Sequence, residues 1–320
     1  MDVFIATSSF GEYNPEPLKL LNDRGFNLKM NPFGRPLGES DIAELAGDCV
    51  GIIAGTEPYA RNNLLRLRRL RVISRCGVGL DGIDLDEAAR IGISVLFTPQ
   101  GPTQAVAELT LGLILSLVRH IEISSTQLKR GRWQKQMGLL LQELRIGIIG
   151  LGRIGRRVAG LLKTLDADIL ACDIEPDYGW AEKNKVPFVT LEELMRSSDV
   201  VCLHVPYSKE VHHLIGENEL KMMKAGSYLV NPSRGGLVDE NALYRALASG
   251  QLRGAALDTF EREPYEGPLR ELDNAILTPH IGSYARAGRI QMEMEAAQNM
   301  IRELERLGVT NNSGTARQGD

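Results

Sequence analysis

The sequence has few cysteines, no excess of basic residues and no long apolar run, and each absence excludes a class of protein. Only four of the 320 residues are cysteine. None of them forms a C-x-x-C pair, which argues against a disulfide framework or a zinc cluster and fits a reducing, cytoplasmic setting. A formal net charge of -4 argues against a nucleic-acid binder that relies on bulk electrostatics. We therefore expect no metal site and no nucleic-acid partner.

The apolar segments are too short to predict a membrane role. The longest, at residues 109–118, is interrupted by Thr110, Gly112 and Ser116. It is shorter than the roughly 20 residues that span a bilayer. The N-terminus has a short apolar run but lacks the basic start and long apolar core of a secretory signal. We therefore expect no membrane partner.

What the sequence does contain is an alternation of short apolar strands with helices, the pattern of parallel sheets covered by helices in α/β proteins. Its length favours two domains. The predicted strands are residues 3–6, 26–30, 50–54, 71–74 and 94–97 in a first series, and 145–149, 168–172, 200–204, 227–230, 254–257 and 275–277 in a second. Six strands in the second series match a full doubly wound, Rossmann-type nucleotide domain.

Helices are predicted at the two junctions between the series. One begins after a Pro- and Gly-rich stretch, is capped by Thr103 and extends towards His120. The other covers residues 284 to about 307. The polar tail at residues 310–320 is predicted to be disordered.

The strongest local motif is an apolar strand that leads directly into G-x-G-x-x-G and then into a helix. Gly150 allows the tight turn, Gly152 lets a pyrophosphate approach the backbone, and Gly155 lets the helix pack on the strand. The helix N-terminus adds amide donors and a positive dipole end. Glycines that serve only a turn are the alternative explanation, and the motif alone is weak.

A second residue strengthens the nucleotide interpretation. Asp173 follows the next strand about 20 residues later, where a carboxylate binds the adenosine ribose hydroxyls. An Asp at a strand end is usually only a turn former, but the upstream glycines change that interpretation. A carboxylate at this position would repel a 2′-phosphate, and neither Ile174 nor Glu175 offers a basic partner. The sequence therefore predicts NAD rather than NADP as the cofactor.

Three polar residues follow strands of the second series in Pro- and Gly-flanked loops. Arg234 is placed to hold a substrate carboxylate through two hydrogen bonds. His280 is placed to exchange a proton with a hydroxyl, and Glu263 is placed to orient the imidazole and favour its protonated form. Taken singly, each also fits a structural or solvated side chain. Together they indicate oxidation of a hydroxyacid by hydride transfer.

With these motifs the sequence resembles the D-isomer-specific 2-hydroxyacid dehydrogenase family, in particular its phosphoglycerate dehydrogenase branch. The resemblance runs from residues 74–84, SRCGVGLDGID, through GLGRIG to the His280 loop. It implies that Arg234 binds the substrate carboxylate, that His280 is the acid/base and that Glu263 is its partner. Further substrate contacts are implied for Arg75, Gly77, Val78 and Gly79. Further cofactor contacts are implied for Arg153, Ile154, His204, Val205, Pro206, Pro232, Ser233, Asp258, Gly282 and Ser283.

The resemblance also implies the domain organisation. We expect a Rossmann NAD domain at residues 101–282, inserted into a flavodoxin-like substrate domain made of residues 1–100 and 283–320, with substrate in the cleft between them. By the same resemblance, the predicted helix that ends near His120 and the segment around Trp133 are surfaces for a homodimer.

Substrate identity and one further function stay open. Glu57, in the loop after the third strand, would oppose a substrate phosphate unless it points away, and Arg75 fits a phosphate ligand or a strand-end residue paired with a carboxylate equally well. Glyoxylate, hydroxypyruvate or another 2-hydroxyacid is therefore an alternative to 3-phosphoglycerate. An NAD-sensing co-repressor without turnover is a second alternative.

The other histidines are less suited to catalysis. His204 ends a strand and is expected to line the adenosine pocket, while His212 and His213 are placed in a polar helix start and His120 ends a helix. We expect none of them to have a carboxylate partner comparable to that of His280.

Overall fold

A computed structural model describes residues 1–35 and 37–309. The tail from residue 310, predicted to be disordered, lies outside the described residues. The strands are β1 Asp2–Ile5, β2 Asn27–Met30, β3 Gly51–Ala54, β4 Val72–Arg75, β5 Ser94–Phe97, β6 Arg145–Ile149, β7 Asp168–Cys172, β8 Val200–Leu203, β9 Ser227–Asn231, β10 Leu252–Leu257 and β11 Ala275–Leu277. The α-helices are α1 Glu16–Asp23, α2 Glu39–Leu45, α3 Arg61–Arg66, α4 Leu85–Arg90, α5 Gly101–Val118, α6 Ile121–Lys129, α7 Arg153–Lys163, α8 Tyr178–Asn184, α9 Leu191–Ser197, α10 Glu217–Met222, α11 Glu240–Ala248 and α12 Arg286–Arg306.

The chain forms two compact units, and the first is discontinuous. It consists of Met1–Pro102 together with the segment from Ser283 onward. Its five strands form one sheet in the order β2-β1-β3-β4-β5, with every neighbouring pair parallel. This is the flavodoxin-like order. Helix α12, the last helix within the described residues, therefore completes a unit that the N-terminal residues begin.

Apolar side chains cover both faces of this first sheet, because its central strands β1 and β3 point buried apolar residues to both sides. On one face α12 contributes Met292, Ala296 and Met300 to a core that includes Val3 and Ile53. The packing is close, since a side-chain carbon added at Gly51 would lie 2.4 Å from the sulfur of Met300. The other face carries a separate core of the same unit.

The second unit is Thr103–Gly282. Its six strands are all parallel, in the order β11-β10-β9-β8-β6-β7. Beyond β7, Phe188 forms an isolated parallel bridge with Ala171. If that bridge is counted as the third strand, the strands up to β10 have the Rossmann order 3-2-1-4-5-6, and β11 is a seventh strand at the opposite edge. Successive strands are added on one side of β6 up to β7 and on its other side from β8 onward, so the strand order reverses between β6 and β8. Such sheets bind ligands at this reversal of strand order.

Helix α5 lies along the core of the second unit. By length and composition it is apolar enough to cross a membrane, with 18 residues and a mean hydropathy of 1.3, but 56% of it is buried inside the protein. Leu113, Ile114 and Leu117 pack in the same core as β6 and α7. These contacts are those of a core helix.

Two predicted element boundaries are wrong. Helix α5 begins at Gly101, so Thr103 lies in its first turn and does not cap it. His212 and His213 do not start a helix; they follow a single 3₁₀ turn, Lys209–Val211, and α10 begins only at Glu217. In both places a local polar residue resembled a cap or a helix start, but the backbone begins the helix at another residue.

Candidate active site

The dinucleotide motif forms the turn between β6 and α7, beside the boundary between β6 and β8 where the strand order reverses. Gly150 has φ +91°, a left-handed conformation that glycine adopts without strain. A side-chain carbon at Gly155 would lie 2.1 Å from the carbonyl oxygen of Gly150, so the helix touches the turn directly. A carbon at Gly152 would meet no atom within 4 Å. The turn is thus closed on its protein side and open at Gly152.

These features fit a bound dinucleotide. Gly152 is the N-cap of α7 and offers no side chain to the first amides of the helix, which include those of Arg153 and Ile154. A pyrophosphate placed over Gly152 would therefore find backbone donors and the positive end of the helix dipole. The exposed side chain of Arg153 lies at the same helix start.

Asp173 lies directly after β7 and is tied to the motif. One carboxylate oxygen accepts a hydrogen bond from the Leu151 amide at 2.7 Å, and the other accepts one from Glu175 at 3.0 Å. Each oxygen keeps a second lone pair for a ribose hydroxyl. The neighbouring guanidinium of Arg156 pairs with Asp177 at 2.9 Å. Asp173 itself presents a carboxylate here, and the Arg156 guanidinium is already paired with another one, which suits a 2′-hydroxyl better than a 2′-phosphate.

His204 and Val205 follow β8, the strand next to β6, and so lie beside Gly150 at the end of β6. The His204 amide donates to the Ile149 carbonyl at 2.7 Å, and a side-chain carbon at Gly150 would lie 2.7 Å from the His204 oxygen. Both ring nitrogens of His204 are buried without a hydrogen-bond partner within the described residues. Burial lowers the pKa of this imidazole to about 3. It is therefore a neutral ring, and Pro206 follows in the same loop.

Arg234 lies in the loop that follows β9. The fully buried side chain of Asn231 donates to the Arg234 carbonyl at 2.8 Å and accepts the Ser233 amide at 3.1 Å. The Ser233 hydroxyl donates to the Leu203 carbonyl at 2.6 Å, which ties this loop to the end of β8. Pro232 is buried between them. Asn231 thus fixes the turn that presents Arg234 at the carboxyl edge of the sheet.

Glu263 and His280 meet at the same edge. Nδ1 of His280 lies 2.9 and 3.1 Å from the two carboxylate oxygens of Glu263. Burial would raise the pKa of Glu263, but the hydrogen bond and charge of His280 outweigh it, helped by the Phe260 amide and the charge of Arg234, and the pKa is lowered. The carboxylate thus stays ionised beside the imidazole. Because it faces Nδ1, that nitrogen carries a proton and Nε2 is left to exchange one.

The His280 loop is fixed by Asp258. His280 has φ +53°, which is unfavourable for a residue with a side chain. The carboxylate of Asp258 accepts the Ile281 amide at 2.8 Å, the Gly282 amide at 2.7 Å and the Thr278 hydroxyl at 2.6 Å. Asp258 is fully buried, and burial raises its pKa despite these donors. The carboxylate of Asp258 therefore holds the left-handed turn at His280 through three hydrogen bonds.

The residues expected to contact substrate through their backbone belong to the first unit. Gly77, with φ +147°, donates its amide to the Thr98 hydroxyl at 2.7 Å. Nε of Arg75 donates to the Gly79 carbonyl at 3.2 Å, and its NH1 donates to the Cys76 carbonyl. The Arg75 guanidinium thus folds over its own loop, which also contains Val78. Ser283 lies at the start of the second segment of the same unit.

Glu57 lies near Arg75 within the first unit. Its carboxylate is buried, accepts the Gly55 amide at 2.6 Å and lies 3.5 Å from the Tyr59 hydroxyl. Burial raises the pKa of Glu57, and the charge of Arg75 partly opposes this rise. Of the two interpretations of Arg75, this placement favours a strand-end residue with a carboxylate neighbour.

The structure adds two contacts that the sequence did not indicate, and it corrects one expectation. Asn231 and Thr278 hold the Arg234 and His280 loops; their only signal was a polar residue at a strand end. The expectation that no other histidine has a carboxylate partner comparable to that of His280 is wrong, because Nε2 of His213 lies 2.7 Å from Oε1 of Glu261. These two residues are 48 positions apart, so no local pattern connects them.

Comparison with known proteins gives a family match for the second unit. Residues 111–282 match the family model for the NAD binding domain of D-isomer specific 2-hydroxyacid dehydrogenases. The structure of a D-lactate dehydrogenase from Aquifex aeolicus complexed with NAD and lactic acid is 30% identical, with a TM-score of 0.84, and the match covers 99% of this chain and 100% of that one.

Two curated relatives carry different names. A glyoxylate reductase of Thermofilum pendens is 43% identical over 72% of this chain and 71% of its own length. A D-3-phosphoglycerate dehydrogenase of Archaeoglobus fulgidus is 39% identical over 76% of this chain and 47% of its own length. The chain thus spans about half the length of the phosphoglycerate dehydrogenase relative and most of the length of the glyoxylate reductase.

Proposed function

The chain belongs to the D-isomer specific 2-hydroxyacid dehydrogenase family, and from this we propose that it interconverts a D-2-hydroxyacid and its 2-oxoacid by NAD-dependent hydride transfer. The observation that carries the proposal is the Glu263 carboxylate held against Nδ1 of His280 at 2.9 Å. Arg234 is close enough for its charge to act on the same carboxylate. A cation, a base and a group that orients the base are the set that this chemistry needs.

Each residue then has one task. Arg234 holds the substrate carboxylate through two hydrogen bonds and so fixes the reacting carbon. Nε2 of His280 accepts the hydroxyl proton during oxidation and returns it to the ketone oxygen during reduction. Glu263 keeps the proton on Nδ1 and stabilises the imidazolium that forms. Bound NAD supplies the nicotinamide ring that accepts the hydride.

For the substrate we propose a small 2-hydroxyacid, with two candidates. The names of the relatives support 3-phosphoglycerate and glyoxylate. The loops of the first unit favour the unphosphorylated acids: Glu57 places a carboxylate after β3, and Arg75 already donates to Gly79 and Cys76. A phosphate brought to this loop would approach the Glu57 carboxylate, and the Arg75 guanidinium already donates to two backbone carbonyls of its own loop.

A kinetic assay tests these proposals together. Wild-type protein is assayed with NADH and glyoxylate, hydroxypyruvate or 3-phosphohydroxypyruvate; we expect turnover, and higher kcat/KM with the unphosphorylated acids. His280→Asn should lose at least about a hundredfold in kcat, the contribution of a general acid. Its NADH affinity should stay within twofold, and His120→Asn should behave like wild type. Wild-type protein that binds NADH without turnover would instead support an NAD-sensing co-repressor, and an active His280→Asn would remove His280 from its role.

We also propose a homodimer formed through the segment after α6. The exposed fractions of Trp133 and Met137 there are 83% and 87%, and Ile121 and Leu128 of α6 are more than half exposed. Apolar side chains exposed in one stretch are typical of an interface. Sedimentation of the wild type and of Trp133→Ser would test this, and a monomeric wild type would rule it out.

A further inference from the structure

Besides the Glu263–His280 pair, the second unit contains another carboxylate–imidazole pair, between Glu261 and His213. Nε2 of His213 lies 2.7 Å from Oε1 of Glu261, and the side chains are 35% and 37% exposed. Glu261 belongs to the short turn that carries Glu263, and His213 lies between β8 and α10. The pair therefore joins two segments that are distant in sequence.

His213 is also bound to the loop of Arg234 through its backbone. Its amide donates to the Gly236 carbonyl at 2.8 Å, and Ile215 continues the pairing with the Leu237 carbonyl at 2.9 Å. His213 has φ +55°, one of five non-glycine residues with positive φ in the described chain; His280 is another. Such a conformation persists only where surrounding contacts over-determine it.

The Arg234 loop touches the Glu263 turn directly. A side-chain carbon at Gly235 would lie 1.8 Å from the carbonyl carbon of Phe260 and 2.2 Å from the Glu261 nitrogen. The two backbones are thus in contact, and only glycine fits between them. From α11, the carboxylate of Glu240 accepts the Glu261 amide at 2.8 Å. Glu240 of α11 thus holds Glu261 at its amide, and His213 holds it at its carboxylate.

The turn itself depends on Glu263. The Phe260 amide donates to Oε1 of Glu263 at 3.2 Å, so the carboxylate that orients His280 also closes the turn with Glu261 at its tip. A shift of Glu261 would therefore move Glu263 relative to His280. On the other side of His213, its ring stacks on that of His212, with centroids 3.8 Å apart. This stack limits the positions that the His213 ring can take.

We propose that His213 is a positioning residue for the reaction. It fastens the Arg234 loop through its amide and the Glu263 turn through its ring, and so sets the distance between the guanidinium and the acid/base pair. The inference rests on the proposed function, because it assigns a role in that reaction. Reactive geometry is sensitive to displacements of this kind, since an error of about 1 Å can cost up to a hundredfold in rate.

The test compares His213→Ala, Glu261→Ala and the double variant with Glu266→Ala, a matched control on an exposed residue three positions after Glu263. We expect each single variant to lose about tenfold in kcat, with NADH affinity within twofold of wild type. The double variant should lose no more than either single one, because both remove the same contact. His213→Gln, whose amide can still donate to Glu261, should recover most of the rate.

Amide hydrogen exchange gives a readout that needs no turnover. Exchange in the peptide at residues 259–265 should rise in His213→Ala and Glu261→Ala, and stay unchanged in Glu266→Ala and His213→Gln. Unchanged exchange in the two single variants would overturn the inference, as would losses of kcat that multiply in the double variant. An inactive wild type whose variants still show the exchange pattern would contradict the proposed function and leave the contact in place.

Discussion

His204 and His280 both lie at the carboxyl edge of the second sheet, in opposite surroundings. His280 has a carboxylate against one nitrogen and is partly exposed, whereas both nitrogens of His204 are buried without a partner within the described residues. One ring is therefore equipped to move a proton. The other is kept neutral by the loss of water around it.

His204 should make stability depend on pH. Burial lowers its pKa from 6.5 to about 3, so between these values the unfolded chain binds a proton that the folded chain does not. Stability is therefore complete above the unfolded value and falls as the pH drops towards the folded value, by at most about 1.4 kcal/mol per pH unit. Urea unfolding at pH 7 and pH 5 should show that the free energy of unfolding falls less in His204→Leu than in wild type. Between pH 7 and pH 5, His212→Leu, which changes an exposed histidine, should lose as much unfolding free energy as wild type. Equal losses in wild type and both variants would contradict the role of His204 in this pH dependence.

Single residues also show what the sequence can reveal about a site. Arg234, Glu263 and His280 were predicted because each follows an apolar strand in a loop with Pro or Gly, and parallel strands bring such loops to one edge. The partners that fix these loops, Asn231 and His213, have no comparable signal. Their importance comes from contacts made only after the chain has folded.

At the scale of elements, the strands were predicted within one residue at each end because apolar runs define them. The exception is β10, which begins at Leu252, two residues earlier than predicted, because the exposed Arg253 interrupts the apolar pattern. The helix ends were harder. Gly101 starts α5 where Pro and Gly suggested a loop. A side-chain carbon at Gly101 would lie 2.4 Å from the side chain of Met292, so close packing explains the glycine without marking a loop.

Helix α7 offers two glycines with opposite surroundings. A carbon at Gly155 would lie 2.1 Å from the Gly150 oxygen, while one at Gly160 would meet nothing within 4 Å. Gly155→Ala should push the helix from the turn, lower NADH affinity at least about tenfold and cost roughly 1–3 kcal/mol of stability. Gly160→Ala should leave NADH affinity unchanged and stabilise the helix by about 0.5–1 kcal/mol. Fluorescence titration with NADH and urea unfolding measure both, and equal effects would refute the packing argument.

At the scale of the whole molecule, the two units have separate cores. Met300 of α12 is fully buried against the first sheet, and Gln298 of the same helix is exposed. Met300→Ala should destabilise the first unit by about 2–5 kcal/mol. NADH binding, which depends on the second unit, should be retained at temperatures where the first unit has melted, and Gln298→Ala should change neither. Calorimetry with and without NADH measures the melting transition of each unit. If Met300→Ala lowered the melting temperatures of both units equally, the units would not have separate cores.

The placement of α12 has a consequence for synthesis on the ribosome. The strands of the first sheet emerge first, yet the core on one face of that sheet stays incomplete, with α1 alone of the described helices against it, until α12 has been made. The inserted unit, whose residues are contiguous, has everything it needs once Gly282 has left the exit tunnel. The nucleotide-binding half should therefore fold before the half that precedes it, and the nascent chain must keep Val3, Ile53 and their neighbours from aggregating until its final segment arrives.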